Sequence, residues 1–148
     1  MKDIKNILVP IDLSDAFDSC VSYALELAKK FDARLHLLHA IHEPSESSRF
    51  STPHVAMDRA HEETRGRMKR QLLLYASSKL GGFANFVTEV EIGPPHAVIT
   101  RYAEKKNIDL IVTGERRKGK LAHALSQKTT SKVLEASDKP ILRVIIPD

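Results

Sequence analysis

The sequence predicts an α/β protein in which one parallel β-sheet lies between two layers of helices. Five short apolar runs alternate with four segments in which apolar residues recur every three or four positions. Continuous apolar runs are typical of strands covered on both faces, and the longer spacing is typical of amphipathic helices. Right-handed connections between parallel strands put helices on both faces, so we predict a three-layer sandwich with strand order 3-2-1-4-5.

The first two strands are predicted at residues 6–11 and 35–41, which are apolar and rich in β-branched side chains. Ser14 can cap the helix between them, and we expect the apolar face of that helix to run from Phe17 to Phe31. This first part of the chain therefore forms a strand-helix-strand unit.

The next segment is a polar, serine-rich stretch at residues 43–53, which predicts a loop that could act as a lid. A long helix follows, from about residue 55 to residue 80, with apolar positions spaced by four between charged residues. Gly81 and Gly82 are expected to end it, because glycine readily adopts the left-handed backbone that closes a helix.

The second half of the sequence supplies three more strands. Residues 85–92 alternate apolar and acidic side chains, which is typical of a half-exposed strand at a sheet edge. Pro95 can occupy the first turn of the following helix, which leads into an apolar strand at residues 109–113. Beyond Gly114, a basic segment and a fourth helix precede the last strand at residues 141–146.

Composition restricts the protein class. The 148 residues fit one domain spanning positions 1–148, large enough to bury a core without disulfides. A net charge of +4 is too small to indicate nucleic-acid binding, and Cys20 is expected to be a buried, unreactive thiol. No apolar run is long enough to span a membrane and no signal peptide is evident, so we expect a cytoplasmic protein.

The predicted strand order places two loops at one site. Ligands of open α/β sheets bind at the carboxyl ends of the strands where the order reverses, here between the first and fourth strands. The loop at residues 10–14 and the segment that begins at Gly114 both lie there. Asp12 is the best candidate ligand residue, although a carboxylate in a loop or helix cap would explain it equally well.

Four segments, spread along nearly the whole chain, together resemble the universal stress protein family. They are NILVPIDLSD, LHLLHAIHEP, GPPHAVITRYAEKKNIDLIVTG and KVLEASDKPILRVII. The resemblance implies an adenine nucleotide alpha hydrolase-like fold with strand order 3-2-1-4-5 and a regulatory role in the stress response. It also implies homodimers that pair through the last strand and, in one branch, ATP at the strand ends, with Asp12 matching the position that contacts adenine or ribose.

The ATP-binding branch carries the motif Gly-2x-Gly-9x-Gly-Ser/Thr, from which this chain departs. When the motif is anchored on Gly114, its other positions fall on Arg117, Gln127 and Lys128. Side chains at the former glycines would occupy space that a triphosphate needs, and lysine cannot replace the hydroxyl group. The chain therefore resembles the branch that lacks the complete motif, and we expect a binding or regulatory protein without tight ATP binding and without a required cofactor.

Other interpretations of this segment stay open. A loop shifted to Gly119 would bring Thr129 and Thr130 to the phosphate, with nearby basic side chains, and would make the protein an ATP- or AMP-binding regulator. The basic residues could instead form a solvated loop, or a surface that recruits an acidic protein partner.

The sequence shows no sign of a catalytic or metal centre. It lacks a Walker loop, a dinucleotide-binding Gly-x-Gly-x-x-Gly and a Gly-x-Ser-x-Gly nucleophile elbow, so we expect no enzyme activity. His36, His39 and His42 are spaced by three, which on a strand places only the first and last on one side. We therefore predict no metal site.

The last strand predicts a homodimer. A final strand at a sheet edge leaves backbone donors and acceptors unpaired, and antiparallel pairing with a second copy would satisfy them. We expect Val144 near the twofold axis. The apolar residues of this predicted interface are Ile141, Leu142, Val144 and Ile146.

Overall fold

The computed structural model describes residues 2–42, 54–116 and 127–146. The predicted loop at 43–53 and Gly119 lie outside these ranges. The helices and strands, in chain order, are β1 (Asn6–Pro10), a 3-10 turn (Asp15–Phe17), α1 (Asp18–Phe31), β2 (Arg34–Ile41), α2 (His54–Lys79), β3 (Phe86–Ile92), α3 (Pro95–Lys105), β4 (Leu110–Arg116), α4 (Gln127–Ala136) and β5 (Ile141–Ile146).

The sheet confirms the predicted strand order. Its five strands follow the order β3-β2-β1-β4-β5, and every neighbouring pair is parallel. Strand β1 is central, and Ile7 pairs with Leu35 of β2 on one side and with Leu110 of β4 on the other. The order reverses between β1 and β4, as expected for a ligand site at their carboxyl ends.

Two separate apolar cores explain why the central strand is continuously hydrophobic. Ile7 and Val9 point into a core formed with α1 and α2, whereas Leu8 points into a second core formed with α3 and α4. All three side chains are completely buried. Successive side chains of a strand alternate between faces, so the two cores confirm the three-layer sandwich.

The start of α1 differs from the prediction. Ser14 precedes the 3-10 turn, but its side chain makes no capping hydrogen bond to that turn. Its hydroxyl instead donates to Oδ1 of Asp12 at 2.7 Å. At the other end, Phe31 is 42% exposed rather than part of the apolar face, because the buried residues of α1 end at Ala28.

Two predicted features of the helices are confirmed. Gly81 and Gly82, which follow α2, have φ angles of 54° and 87°, in the left-handed region that favours glycine. Cys20 is buried, and burial raises its thiol pKa to about 12, so this thiol stays protonated at neutral pH. None of the helices in the described ranges has the length and hydropathy needed to cross a membrane.

Candidate functional site

A cavity of about 340 Å³ lies at the carboxyl ends of β1 and β2, on the side of the sheet covered by α3 and α4. Leu38 and Ala40 of β2 and Ile99 of α3 give it an apolar wall, and Asp12 follows β1 at its edge. Thr129, in the first turn of α4, also lines it. The cavity therefore combines an apolar surface with a few polar groups, as small-molecule sites do.

Asp12 reaches the cavity from a tightly bonded loop. Its Oδ1 accepts hydrogen bonds from the backbone N–H of Ser14 at 2.9 Å and from the Ser14 hydroxyl at 2.7 Å. Between them, Leu13 has a φ of 71°, which is uncommon for a residue other than glycine. Within the described part of the chain, Oδ2 of Asp12 has no hydrogen bond. The carboxylate thus closes its own loop with one oxygen and has the other available for a ligand.

His39 is a cavity residue that the sequence prediction missed. Its Nδ1 lies 2.9 Å from the backbone oxygen of Ile11. A carbonyl oxygen only accepts, so Nδ1 is the donor in this hydrogen bond. His39 and the exposed His42 both line the cavity. Strand alternation had grouped His42 with His36, and both lie on the side of the sheet that carries α3, since His36 contacts Tyr102 and His42 lines the cavity with Ile99.

The two candidate threonines are placed differently. Thr129 lines the cavity, whereas Thr130 is 3% exposed and its Oγ1 has no hydrogen-bond partner in the described structure. Neighbouring residues of a helix point about 100° apart, so one can face a cavity while the next faces the interior. The structure thus brings Thr129, but not Thr130, to the same cavity as Asp12.

Gly114 lies inside a strand rather than in a loop. Strand β4 continues to Arg116, and Gly114 pairs with Val144 of β5. A Cβ at this position would lie 2.7 Å from Cδ1 of Ile146 and 3.1 Å from Cε1 of Phe17. Close packing on the α1 side of the sheet therefore explains this glycine. A role for Gly114, Gly119 or Thr130 in binding phosphate stays a prediction.

A buried carboxylate next to Gly114 was also not predicted. Glu115 of β4 is 4% exposed, and its Oε2 lies 3.1 Å from Nε of Arg143 on β5. The residues after Val112 show no alternation of polar and apolar side chains that would have indicated a buried carboxylate, and the sequence there was interpreted as the start of a loop. In the described residues, no group of three His, Cys, Asp or Glu side chains is arranged to hold a metal ion.

A parallel sheet of order 3-2-1-4-5 with a cavity at the carboxyl ends of β1 and β2 defines an α/β sandwich of the adenine nucleotide alpha hydrolase-like type. The model of the universal stress protein family matches residues 3–144. The chain therefore belongs to the universal stress protein family.

Relatives of known sequence and structure agree with this assignment. The chain is 26% identical to a universal stress protein of Methanocaldococcus jannaschii, over 95% of this chain and 94% of that protein. The structure of the universal stress protein UspA from Lactobacillus plantarum matches 99% of this chain and 100% of its own, with 25% identity and a TM-score of 0.65. A universal stress protein in complex with cAMP shares the fold at 15% identity and a TM-score of 0.69, over 99% of this chain and 100% of its own.

Proposed function

We propose that this universal stress protein is a regulatory binding protein rather than an enzyme, and that its cavity binds an adenosine monophosphate. The observation that carries this proposal is the cavity of about 340 Å³ with the Asp12 carboxylate at its edge. The proposal places the protein in the cytoplasm, where adenine nucleotides are abundant.

The size and chemistry of the cavity support a ligand of this class. Small-molecule sites occupy roughly 300–1,000 Å³ and are mostly apolar, with a few polar groups that orient the ligand. The apolar wall of Leu38, Ala40 and Ile99 suits the flat face of a purine. Oδ2 of Asp12 can accept hydrogen bonds from ribose hydroxyls, since an ionised carboxylate is an acceptor only.

Tight binding of a triphosphate is not part of the proposal. Arg117, Gln127 and Lys128 stand where the ATP-binding branch has two glycines and a hydroxyl residue. A monophosphate needs fewer backbone N–H groups than a triphosphate, and the universal stress protein solved with cAMP provides an example of a monophosphate ligand on this fold. We therefore expect ATP to bind no more tightly than AMP.

Calorimetric titration of the nucleotide-stripped protein with AMP, ATP and GMP, with and without Mg²⁺, tests the proposal. We expect AMP to bind, ATP to bind no better, and Mg²⁺ to change neither. Asp12→Asn keeps an oxygen acceptor for Ser14 but replaces the second oxygen by a donor, so AMP affinity should fall by roughly 10-fold or more. Asp15→Asn is the matched control, because the Asp15 side chain is 93% exposed and does not line the cavity.

The results separate the possible ligands. Binding of ATP much more tightly than AMP would support the shifted phosphate loop with Gly119 instead. Absence of heat with all nucleotides, and no nucleotide in extracts of the denatured protein, would leave recruitment of a protein partner as the function.

The proposal includes a homodimer formed through β5. This strand is at one edge of the sheet, and Leu142 and Ile145 are 36% and 38% exposed. Val144 and Ile146 belong to the core beside α1, so their side chains are engaged within their own chain. The contact is therefore expected to consist of backbone hydrogen bonds together with Leu142 and Ile145.

A further inference from the structure

The two edges of the sheet, β3 and β5, differ in how their backbone groups are satisfied. Along a parallel strand, the N–H and C=O groups of successive residues point alternately to one side and to the other. The Leu35 N–H donates to the backbone oxygen of Asn85, and the Gly93 N–H donates to the backbone oxygen of Ile41. The backbone groups of residues 85, 87, 89, 91 and 93 therefore point toward β2. Val90 therefore directs its N–H and C=O outward, at the open edge of β3.

Both outward groups of Val90 are bonded by side chains. Nε of Arg65, from α2, donates to the Val90 oxygen at 3.1 Å. The Val90 N–H donates to Oε1 of Glu89 at 3.3 Å. Nη2 of Arg65 lies 3.5 Å from the same Glu89 oxygen, so the two charged side chains also contact each other. We call this arrangement the Arg65–Glu89 clasp.

The edge at β5 has no such arrangement in the described residues. Ile111 donates to the backbone oxygen of Pro140 at 2.9 Å, so Ile141, Arg143 and Ile145 direct their N–H and C=O groups outward. No described side chain bonds these groups. The edge also presents the exposed apolar side chain of Ile145.

We infer that the Arg65–Glu89 clasp, by occupying both outward groups of Val90, prevents another strand from pairing with β3 at this residue and leaves β5 as the sheet edge open to self-association. A strand pairing with β3 would need the Val90 N–H and C=O, which the clasp already occupies. Charged side chains that cover an edge are a known means of preventing unwanted pairing.

The clasp affects which assemblies the protein can form. If both edges were open, β3 of one copy could pair with β5 of the next, and such head-to-tail contacts build rings or open filaments of many copies. Pairing of β5 with β5 instead closes after two copies. The inference depends on the proposed dimer only for the size of the wild-type species, because closure of the β3 edge is independent of it.

Sedimentation velocity of the double variant Arg65→Ala/Glu89→Ala, at several protein concentrations, tests the inference. The two substitutions leave the net charge unchanged, so an altered net charge cannot account for new association. We expect species larger than those of the wild type, growing with concentration. Arg101→Ala is the matched control. Arg101 pairs with Glu91 of β3 at 3.2 Å but bonds no backbone group of the described residues, so this variant should sediment as the wild type does.

The outcomes distinguish this inference from the dimer proposal. A folded double variant that sediments as the wild type does overturns the clasp, whatever the size of the wild type. A monomeric wild type refutes the β5 dimer, and association of the double variant would still support the clasp. If circular dichroism shows that the double variant is unfolded, Arg65→Gln alone takes its place, with larger species again expected and wild-type sedimentation contradicting the inference.

Discussion

At the scale of single residues, His36 shows how a polar side chain is accommodated between the sheet and α3. Its Nε2 lies 2.9 Å from Oδ1 of Asn6, and its Nδ1 lies 2.8 Å from the Tyr102 hydroxyl. Oδ1 of Asn6 only accepts, so Nε2 carries the proton and Nδ1 accepts from Tyr102. Burial and, to a smaller extent, the positive charges of Arg34 and Lys106 lower the pKa of His36 from 6.5 to about 4.

The lowered pKa of His36 predicts acid-sensitive stability. The unfolded chain takes up a proton near pH 6.5, whereas the folded chain resists protonation of His36 until near pH 4. The free energy of unfolding is therefore highest above pH 6.5 and decreases as the pH falls toward 4. The part of this decrease that is due to His36 is at most about 3 kcal/mol. Denaturant unfolding at a series of pH values measures it.

Two variants isolate this effect. His36→Gln should remove most of the pH dependence between 6.5 and 4, even if it lowers stability throughout. His61→Gln, on α2, should keep the wild-type dependence. An unchanged pH profile for His36→Gln would show that other groups cause the acid sensitivity.

At the scale of elements, β4 depends on a glycine for its packing against the layer that contains α1. The nearest atoms to a Cβ at Gly114 would be side-chain carbons of Ile146 and Phe17. Phe17 is 2% exposed and Ile146 is 4% exposed, so neither side chain can move aside into solvent. The packing requirement therefore comes from the contact of β4 with β5 and with the turn before α1.

Gly114→Ala is expected to lower the free energy of unfolding by about 1–3 kcal/mol, the usual cost of adding a methyl group to a filled core. Gly66→Ala is the control, since its Cβ would meet only the end of the Arg70 side chain at 3.7 Å. Alanine in a helix interior should raise stability by about 0.5–1 kcal/mol. Urea unfolding of both variants measures the difference, and a neutral Gly114→Ala would contradict the packing argument.

At the scale of the whole molecule, β3 and β5 are the two ends of one sheet but expose different chemistry. Side chains bond the outward groups of Val90 on β3, whereas Ile145 on β5 is exposed beside outward backbone groups that no described side chain bonds. Self-association is therefore expected to be a property of one end of the sheet.

Ile145→Lys is predicted to convert the dimer to a monomer. A lysine close to a twofold contact lies near the same lysine and near Arg143 of the second copy, which brings like charges together, and it also removes apolar surface. Light scattering coupled to size exclusion should give twice the chain mass for the wild type and a single chain mass for the variant. Leu74→Lys, at a residue 71% exposed on α2, is the control and should keep the wild-type mass. If the Ile145→Lys variant is still a dimer, the dimer contact lies elsewhere on the protein.

Patterns in the sequence were enough to predict the strands and helices of this protein and the edge of the sheet at which its cavity lies. The spacing of apolar residues shows which side chains are buried, and this spacing differs between strands and helices. The handedness of parallel connections then limits the topologies, and the order 3-2-1-4-5 predicted within that limit is also the order that the family resemblance implies. Asp12 could be located at the cavity because the carboxyl ends of parallel strands meet at one side of the sheet.

Contacts between residues distant in the chain decided the rest. The sequence marked Gly114 only as a candidate phosphate-loop glycine, and the packing of Phe17 and Ile146 against it became apparent only in the folded structure. Only the rotation of α4 about its axis determined that Thr129 faces the cavity. The clasp joins Arg65 of α2 to a strand 24 residues further on. Local patterns carry information on burial, but hydrogen bonds and close packing depend on which distant atoms meet, and this is settled only when the layers pack.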